Sequence, residues 1–142
     1  MEEIPKTFYR VSIKGLILDP SRTKFMIVLE DNGYWELPGG GLDSNEKESI
    51  DECLAREIRE ETGLVVDKVA PTPAYVLVGN NMSGKQSVNL VYEATLTHLD
   101  FTPSNEATEI KFVTPKEALA LNSWRNVKEL AEQFDSTRHA TL

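Results

Sequence analysis

The chain has 142 residues, 40% of them hydrophobic and 27% charged, the balance of a folded chain about one domain long and not of a disordered one. Its net charge of −8 opposes binding to phosphate backbones, which disfavours duplex nucleic acid as a partner. With one cysteine, Cys53, and two histidines, His98 and His139, an intrachain disulfide and a structural zinc site are both excluded.

No apolar run approaches the roughly 18 residues of a membrane span, and the start Met1-Glu2-Glu3-Ile4-Pro5 lacks the pattern of a secretory signal. The expectation is a single domain over residues 1–142, cytoplasmic, touching no membrane, and present as monomer or homodimer.

Phe8 to Leu18 is rich in apolar and β-branched residues without a helical stripe, and reads as a strand ending at the turn Asp19-Pro20. Thr23 to Glu30 and Tyr34 to Leu37 flank Asp31-Asn32-Gly33, which predicts a hairpin with an Asn-Gly turn. Pro38-Gly39-Gly40-Gly41 is expected to stop regular structure. From Lys47 to Thr62 there is no proline or glycine, and Ile50, Leu54, Ala55 and Ile58 recur at helical spacing. This is the strongest predicted helix, closed by Gly63 just beyond its end.

Leu64 to Val78 and Ser87 to Thr97 are strand-rich, interrupted by Pro71, Pro73 and the polar turn from Asn80 to Gly84. The strand Glu109 to Val113 leads into Thr114-Pro115-Lys116-Glu117, a capped helix start with proline at its first position. Asn126 to Phe134 reads as a last helix, and the tail from Asp135 is expected to fray. Strands around a central helix, with helices at the end, give an α/β fold: a mixed sheet packed between helices.

Acidic residues concentrate in the central helix and its approach: Asp43, Glu46, Glu48, Asp51, Glu52, Glu57, Glu60 and Glu61 face only Lys47, Arg56 and Arg59. Glu57, Glu60 and Glu61 are spaced i, i+3 and i+4, so their carboxylates emerge on one face. Like charges so placed repel one another, and the helix C-terminus makes them worse. A hard divalent cation accounts for them, because Mg²⁺ is held by one or two carboxylates together with substrate phosphates. On the triad alone, a solvated acidic face, with Arg56 and Arg59 pairing with Glu60 and Glu52, is the favoured reading.

The wider pattern decides between them. Glu48, seven residues, Arg56-Glu57-Ile58, one residue, Glu60-Glu61, one residue, and Gly63-Leu64 resemble the Nudix box, the signature of hydrolases acting on nucleoside diphosphates linked to another group. A chance match is on the order of one in a million at average residue usage. The box also has a glycine six residues before its first glutamate, where this chain has Leu42; its glycines stand two residues earlier, in Leu37-Pro38-Gly39-Gly40-Gly41. A two-residue insertion between Leu42 and Lys47 reconciles the two, since loop length costs little. The other register would make Glu46 the box glutamate and start the helix earlier.

The resemblance implies the Nudix fold, an α/β/α sandwich with a mixed central sheet, and assigns roles by position. Glu57, Glu60 and Glu61 become the metal face for Mg²⁺, with Mn²⁺ as substitute, joined by the backbone carbonyl of Gly39. Arg56 would orient Glu57, and Glu48 would support the helix start. Glu57 is the first choice of base for the attacking water, with Glu106 the alternative from a distant loop. Trp35 for base stacking and Lys85 for phosphate are weaker substrate-binding assignments, and Tyr75, Asn80, Asn81, Gln86 and Asn89 lie where a pocket would be lined. The implied activity is hydrolysis of a small nucleoside triphosphate or related nucleotide. The competing reading is a non-catalytic, nucleotide-binding regulatory module of the same family, and a plain acidic scaffold is the third.

Overall fold

The computed structural model describes residues 3, 8–43, 47–80, 84–140 and 142. Among these, β1 (Arg10–Leu16) runs parallel to the long β7 (Gln86–Leu96) and antiparallel to β4 (Gly39–Gly41). The other side of β7 is paired by β6 (Tyr75–Asn80) and β5 (Val66–Val69), both antiparallel. The result is a mixed sheet of order β4-β1-β7-β5, with β6 also on β7. A smaller antiparallel sheet is formed by β2 (Phe25–Leu29), β3 (Trp35–Glu36) and β8 (Glu109–Val113), in the order β3-β2-β8.

Alternation along β1 sends successive side chains to opposite sides. Ile13 and Ile17 join Cys53, Leu54 and Ile58 of α1 (Ile50–Thr62) on one face. Leu16 joins Tyr75, Leu77, Val91 and the Val127 and Leu130 side chains of α3 (Arg125–Gln133) on the other. Two apolar layers thus clamp the sheet between helices, the α/β sandwich expected from the order of elements. α2 (Pro115–Ala120) begins with the predicted cap: Thr114 and Glu117 form a reciprocal capping box and Pro115 occupies the first turn. Among the described residues no helix is long and apolar enough to cross a membrane.

Two expectations need correction. The glycine run does not end regular structure. It forms β4, with Gly39 opposite Lys14, Gly40 opposite Ile13 and Gly41 opposite Ser12. Glycine is required at Gly39, where φ is +126° and a Cβ would collide with the Ile13 carbonyl. Nor does the C-terminal tail fray at Asp135. Ser136–Arg138 form a 3₁₀ turn, the Tyr75 hydroxyl lies 2.7 Å from His139 Nε2, and Arg22 Nη2 donates to the Ala140 carbonyl at 2.8 Å.

Candidate active site

The acidic helix is fixed at both ends by local chemistry. Ser49 is the N-cap of α1 and forms a reciprocal capping box with Glu52. At the other end Gly63 takes the left-handed conformation, φ +73°, and its N–H donates to the Arg59 carbonyl at 2.8 Å. The helix carbonyls left over are met by a loop from far along the chain. Thr102 N–H donates to the Thr62 carbonyl at 2.9 Å, and Ser104 Oγ donates to the Glu61 carbonyl at 2.6 Å. α1 begins at Ile50 and not earlier, the start expected when Glu48 is the box glutamate. Residues 44–46, which include Glu46 and belong to the stretch between Leu42 and Lys47 where the insertion is expected, lie outside the described residues.

Arg56 gathers the acids. Its Nε donates to both carboxylate oxygens of Glu48 at 2.8 and 2.9 Å, while Nη1 reaches Glu57 Oε1 at 3.3 Å and Glu60 Oε2 at 3.2 Å. One guanidinium therefore offsets part of the repulsion among three carboxylates and fixes the rotamer of Glu57. Glu57 in turn lies against the glycine strand, where a Cβ on Gly40 would fall within its carboxylate. The backbone comes this close to the acid only because β4 has no side chains at this position.

Glu61 is the most buried of the three, 7% exposed, and Gly39 N–H donates to its Oε1 at 3.4 Å. Burial pushes its carboxyl pKa up from 4.5 to about 8; the Lys14 ammonium and the Gly39 N–H pull it back, and the nearby Glu36 and Glu106 charges add to the rise. A carboxylate set so deep is short of positive charge. Among the described residues no three acidic, histidine or cysteine side chains converge closely enough to cage an ion by themselves. The donors that do meet here are all oxygens, from Glu57, Glu61 and the nearby glycine strand. That set fits Mg²⁺ or Mn²⁺, which keep open positions for water and phosphate, and does not fit a soft metal.

Beyond the glycine strand a cleft opens on the α3 side of the sheet. It is lined by Arg10, Ser12 and Lys14 of β1, by Glu36 of β3, by Ser87 and Asn89 of β7, and by Trp124, Arg125 and Asn126 at the start of α3. Asn126 is locked: its Nδ2 donates to Glu36 Oε1 at 2.6 Å and to Asn89 Oδ1 at 3.3 Å, and its Oδ1 accepts from Val127 N–H at 2.8 Å. The Trp124 indole N–H donates to Glu30, and its ring lies 4.8 Å from that of Tyr34.

The structure puts Arg56 between Glu57 and Glu60, and sets Glu57 against Gly40 and Glu61 against Gly39 of β4. Glu106 sits exposed in the loop held on α1 by Ser104, close enough for its charge to raise the Glu61 pKa. Lys85 is exposed just before β7 and is not part of the cleft lining. Trp35 is not brought to the cleft either: it is 8% exposed and packs in the core with Phe25, Leu37 and Val113. Of the pocket positions read from sequence, Asn89 lines the cleft, whereas Tyr75 belongs to the core. Lys14, Glu36 and Asn126 are the residues that sequence reasoning missed.

A family profile described as NUDIX domain matches residues 9–134. The chain belongs to the Nudix family. It is 33% identical over 109 residues to a MutT-like protein of Streptomyces ambofaciens, a match covering 77% of this chain and 66% of that protein. It is 30% identical over 93 residues to the nucleoside triphosphatase NudI of Salmonella arizonae, covering 60% of this chain and 64% of the relative. The matched region thus spans slightly less than two thirds of these curated relatives. Among solved structures, the MutT protein of Methanosarcina mazei superposes with a TM-score of 0.73 at 24% identity, over 96% of this chain and 100% of that one. An ADP-ribose pyrophosphatase of Streptococcus suis gives 0.66 at 25% identity, over 89% and 87%. The Nudix sandwich seen in such structures is the architecture described above.

Proposed function

We propose that this Nudix chain is a metal-dependent pyrophosphohydrolase acting in the cytoplasm on a small nucleoside triphosphate or related nucleotide, by attack of water at phosphorus. The observation that carries this reading is the placing of the Glu57 and Glu61 carboxylates against the side-chain-free strand β4. Glu57 and Glu61, with Glu60 and the Gly39 carbonyl, are the groups that would hold Mg²⁺ or Mn²⁺. When bound, the cation supplies neutralisation of phosphate charge and Lewis acidity toward water.

The protein's own groups do the rest. Arg56 holds Glu57 in one orientation, and Glu57 takes the proton from the attacking water. Glu106, in the loop above α1, is the alternative base. Asn89, Asn126 and Glu36 offer fixed hydrogen-bonding groups to the nucleoside, and Arg10 and Arg125 bring positive charge to the cleft in a chain that is acidic overall. A nucleoside triphosphatase among the relatives supports this substrate class.

A panel of nucleoside triphosphates and linked nucleoside diphosphates, assayed with Mg²⁺ and Mn²⁺ for release of phosphate, pyrophosphate or monophosphate, tests the proposal. Metal-dependent turnover of at least one small nucleotide is expected. A rise in melting temperature with nucleotide and metal, without turnover, would favour the regulatory binding module instead. Neither response would leave only the acidic scaffold.

A further inference from the structure

Lys14 stands in the middle of β1, opposite Gly39 in the β1–β4 ladder, and is 7% exposed. A buried ammonium is costly unless its charge is closely met. Its Nζ donates to the Leu37 carbonyl at 3.3 Å and to the Gly39 carbonyl at 3.4 Å, both long contacts. The nearest carboxylate oxygen, Glu36 Oε1, is 3.9 Å away. That oxygen already accepts from Asn126 Nδ2 at 2.6 Å and from Leu37 N–H at 2.7 Å. The ammonium is therefore held loosely, by carbonyls, on the strand whose Gly39 N–H donates to Glu61. It is also the strongest influence favouring the charged form of Glu61.

A lysine gains little from such a place, and a divalent ion would seek the same oxygens. We propose that Lys14 is a tethered cation that competes with a divalent ion for the Gly39 carbonyl, holding metal affinity below what the oxygen ligands alone would give. The inference rests on the reading that Glu57, Glu61 and Gly39 form the metal site. Its physical basis is that a fixed positive charge beside a bound dication repels it, and does so most strongly where water is scarce. A site so tuned takes its metal chiefly when substrate phosphates add negative charge.

Mn²⁺ binding without nucleotide, followed by calorimetry and by the electron spin resonance of free Mn²⁺, tests this directly. Lys14→Met is expected to bind Mn²⁺ at least about tenfold more tightly than the wild type, or to take up one more ion. Lys14→Arg, which keeps the charge, is expected to stay near the wild type. A structural role alone would weaken binding, so the direction of change separates the two. Unchanged or weaker binding in a folded Lys14→Met protein overturns the proposal; if that variant does not fold, Lys14→Gln is judged by the same criterion. If the wild type binds no Mn²⁺, or the Glu57→Gln/Glu61→Gln double variant binds it equally well, the metal-site reading fails first and takes this inference with it.

Discussion

The helices that contribute to the site are held in place by opposite means. α1 carries its own start and stop signals, a reciprocal capping box at Ser49 and a left-handed glycine at Gly63. α3 has neither: its N-cap is Trp124, without a side-chain cap hydrogen bond, and Phe134 ends it with no helical cap. What fixes α3 is tertiary, namely the burial of Val127, Leu130 and Ala131, the Asn126 amide on Glu36, and the Trp124 indole on Glu30. The difference separates stability from chemistry. α1 is anchored at its ends and by its apolar stripe, so the face turned toward β4 is free to carry carboxylates that its own stability does not require. The start of α3 shapes the cleft with the same contacts that hold it in place.

The largest expected effect tests the α1 half of this contrast. Glu57→Gln and Glu61→Gln should each lower turnover at least about a hundredfold, because each removes a carboxylate that the proposed metal site needs. Thermal stability should hold or rise slightly, since like-charge repulsion on the helix face is relieved. Steady-state rates beside a thermal denaturation curve check both halves, and wild-type rates in both variants would remove these residues from the site.

The α3 half predicts the reverse coupling. Asn126→Leu keeps a similar volume but strips Glu36 of its 2.6 Å donor, Asn89 Oδ1 of its 3.3 Å donor and Val127 N–H of the shorter of its two acceptors. Stability should fall by about 1–3 kcal/mol, the cost of leaving buried polar groups unpaired. KM for the nucleotide should rise roughly tenfold with a smaller change in kcat, since the residue shapes the cleft and not the acidic face. Chemical denaturation and full kinetic curves measure the two together.

The same contrast explains what the sequence reveals. The α1 face is legible because an i, i+3, i+4 set of acids is a local pattern, and helix geometry alone brings Glu57, Glu60 and Glu61 to one side. Lys14 is not legible: one lysine in an alternating strand reads as a solvent-facing position, and nothing nearby says that β4 will cover it. β4 itself is hidden because three glycines carry no strand propensity, and its partner lies 25 residues away, as with Lys14 and Gly39. Trp35 shows the opposite case, a position open from sequence to both base stacking and core filling. An aromatic beside a glycine turn invites a stacking role, whereas the hairpin geometry sends it into the core. The order of the tail is hidden for a related reason: its contacts with Tyr75 and Arg22 come from residues distant in sequence.

Acid titration sharpens the contrast from the buried end of α1. The folded-state pKa of Glu61, about 8, lies above its ordinary 4.5, so the native protein binds this proton more tightly than the unfolded chain. The stability it contributes is complete below about pH 4.5 and is lost as pH rises through 8. His139 works in the other direction, because burial lowers its pKa, so the comparison must be made against a variant. The metal-free wild type should lose several degrees of melting temperature between pH 5 and 8.5 relative to Glu61→Gln. Saturating Mn²⁺ should remove most of that difference, since the ion takes the place of the proton. Parallel pH profiles for the two proteins would show that Glu61 ionises freely.

The smallest effect concerns the cap that makes α1 self-sufficient. Ser49→Ala removes the side-chain acceptor for Glu52 N–H and one half of the reciprocal box. A loss of about 1 kcal/mol is expected, a shift of a few degrees for a chain of this length. The acidic face lies two turns further on, held by Gly63, by Ser104 on the Glu61 carbonyl and by the packing of Leu54 and Ile58. Turnover at temperatures well below melting should therefore stay within about twofold of the wild type. A much larger loss of rate in folded Ser49→Ala would mean that the start of α1 communicates with Glu57, with the Glu48–Arg56 pair as the evident link. Hydrogen exchange along α1 distinguishes the cases: fraying confined to the first turn supports independent ends, whereas lost protection as far as Glu57 ties the cap to the chemistry.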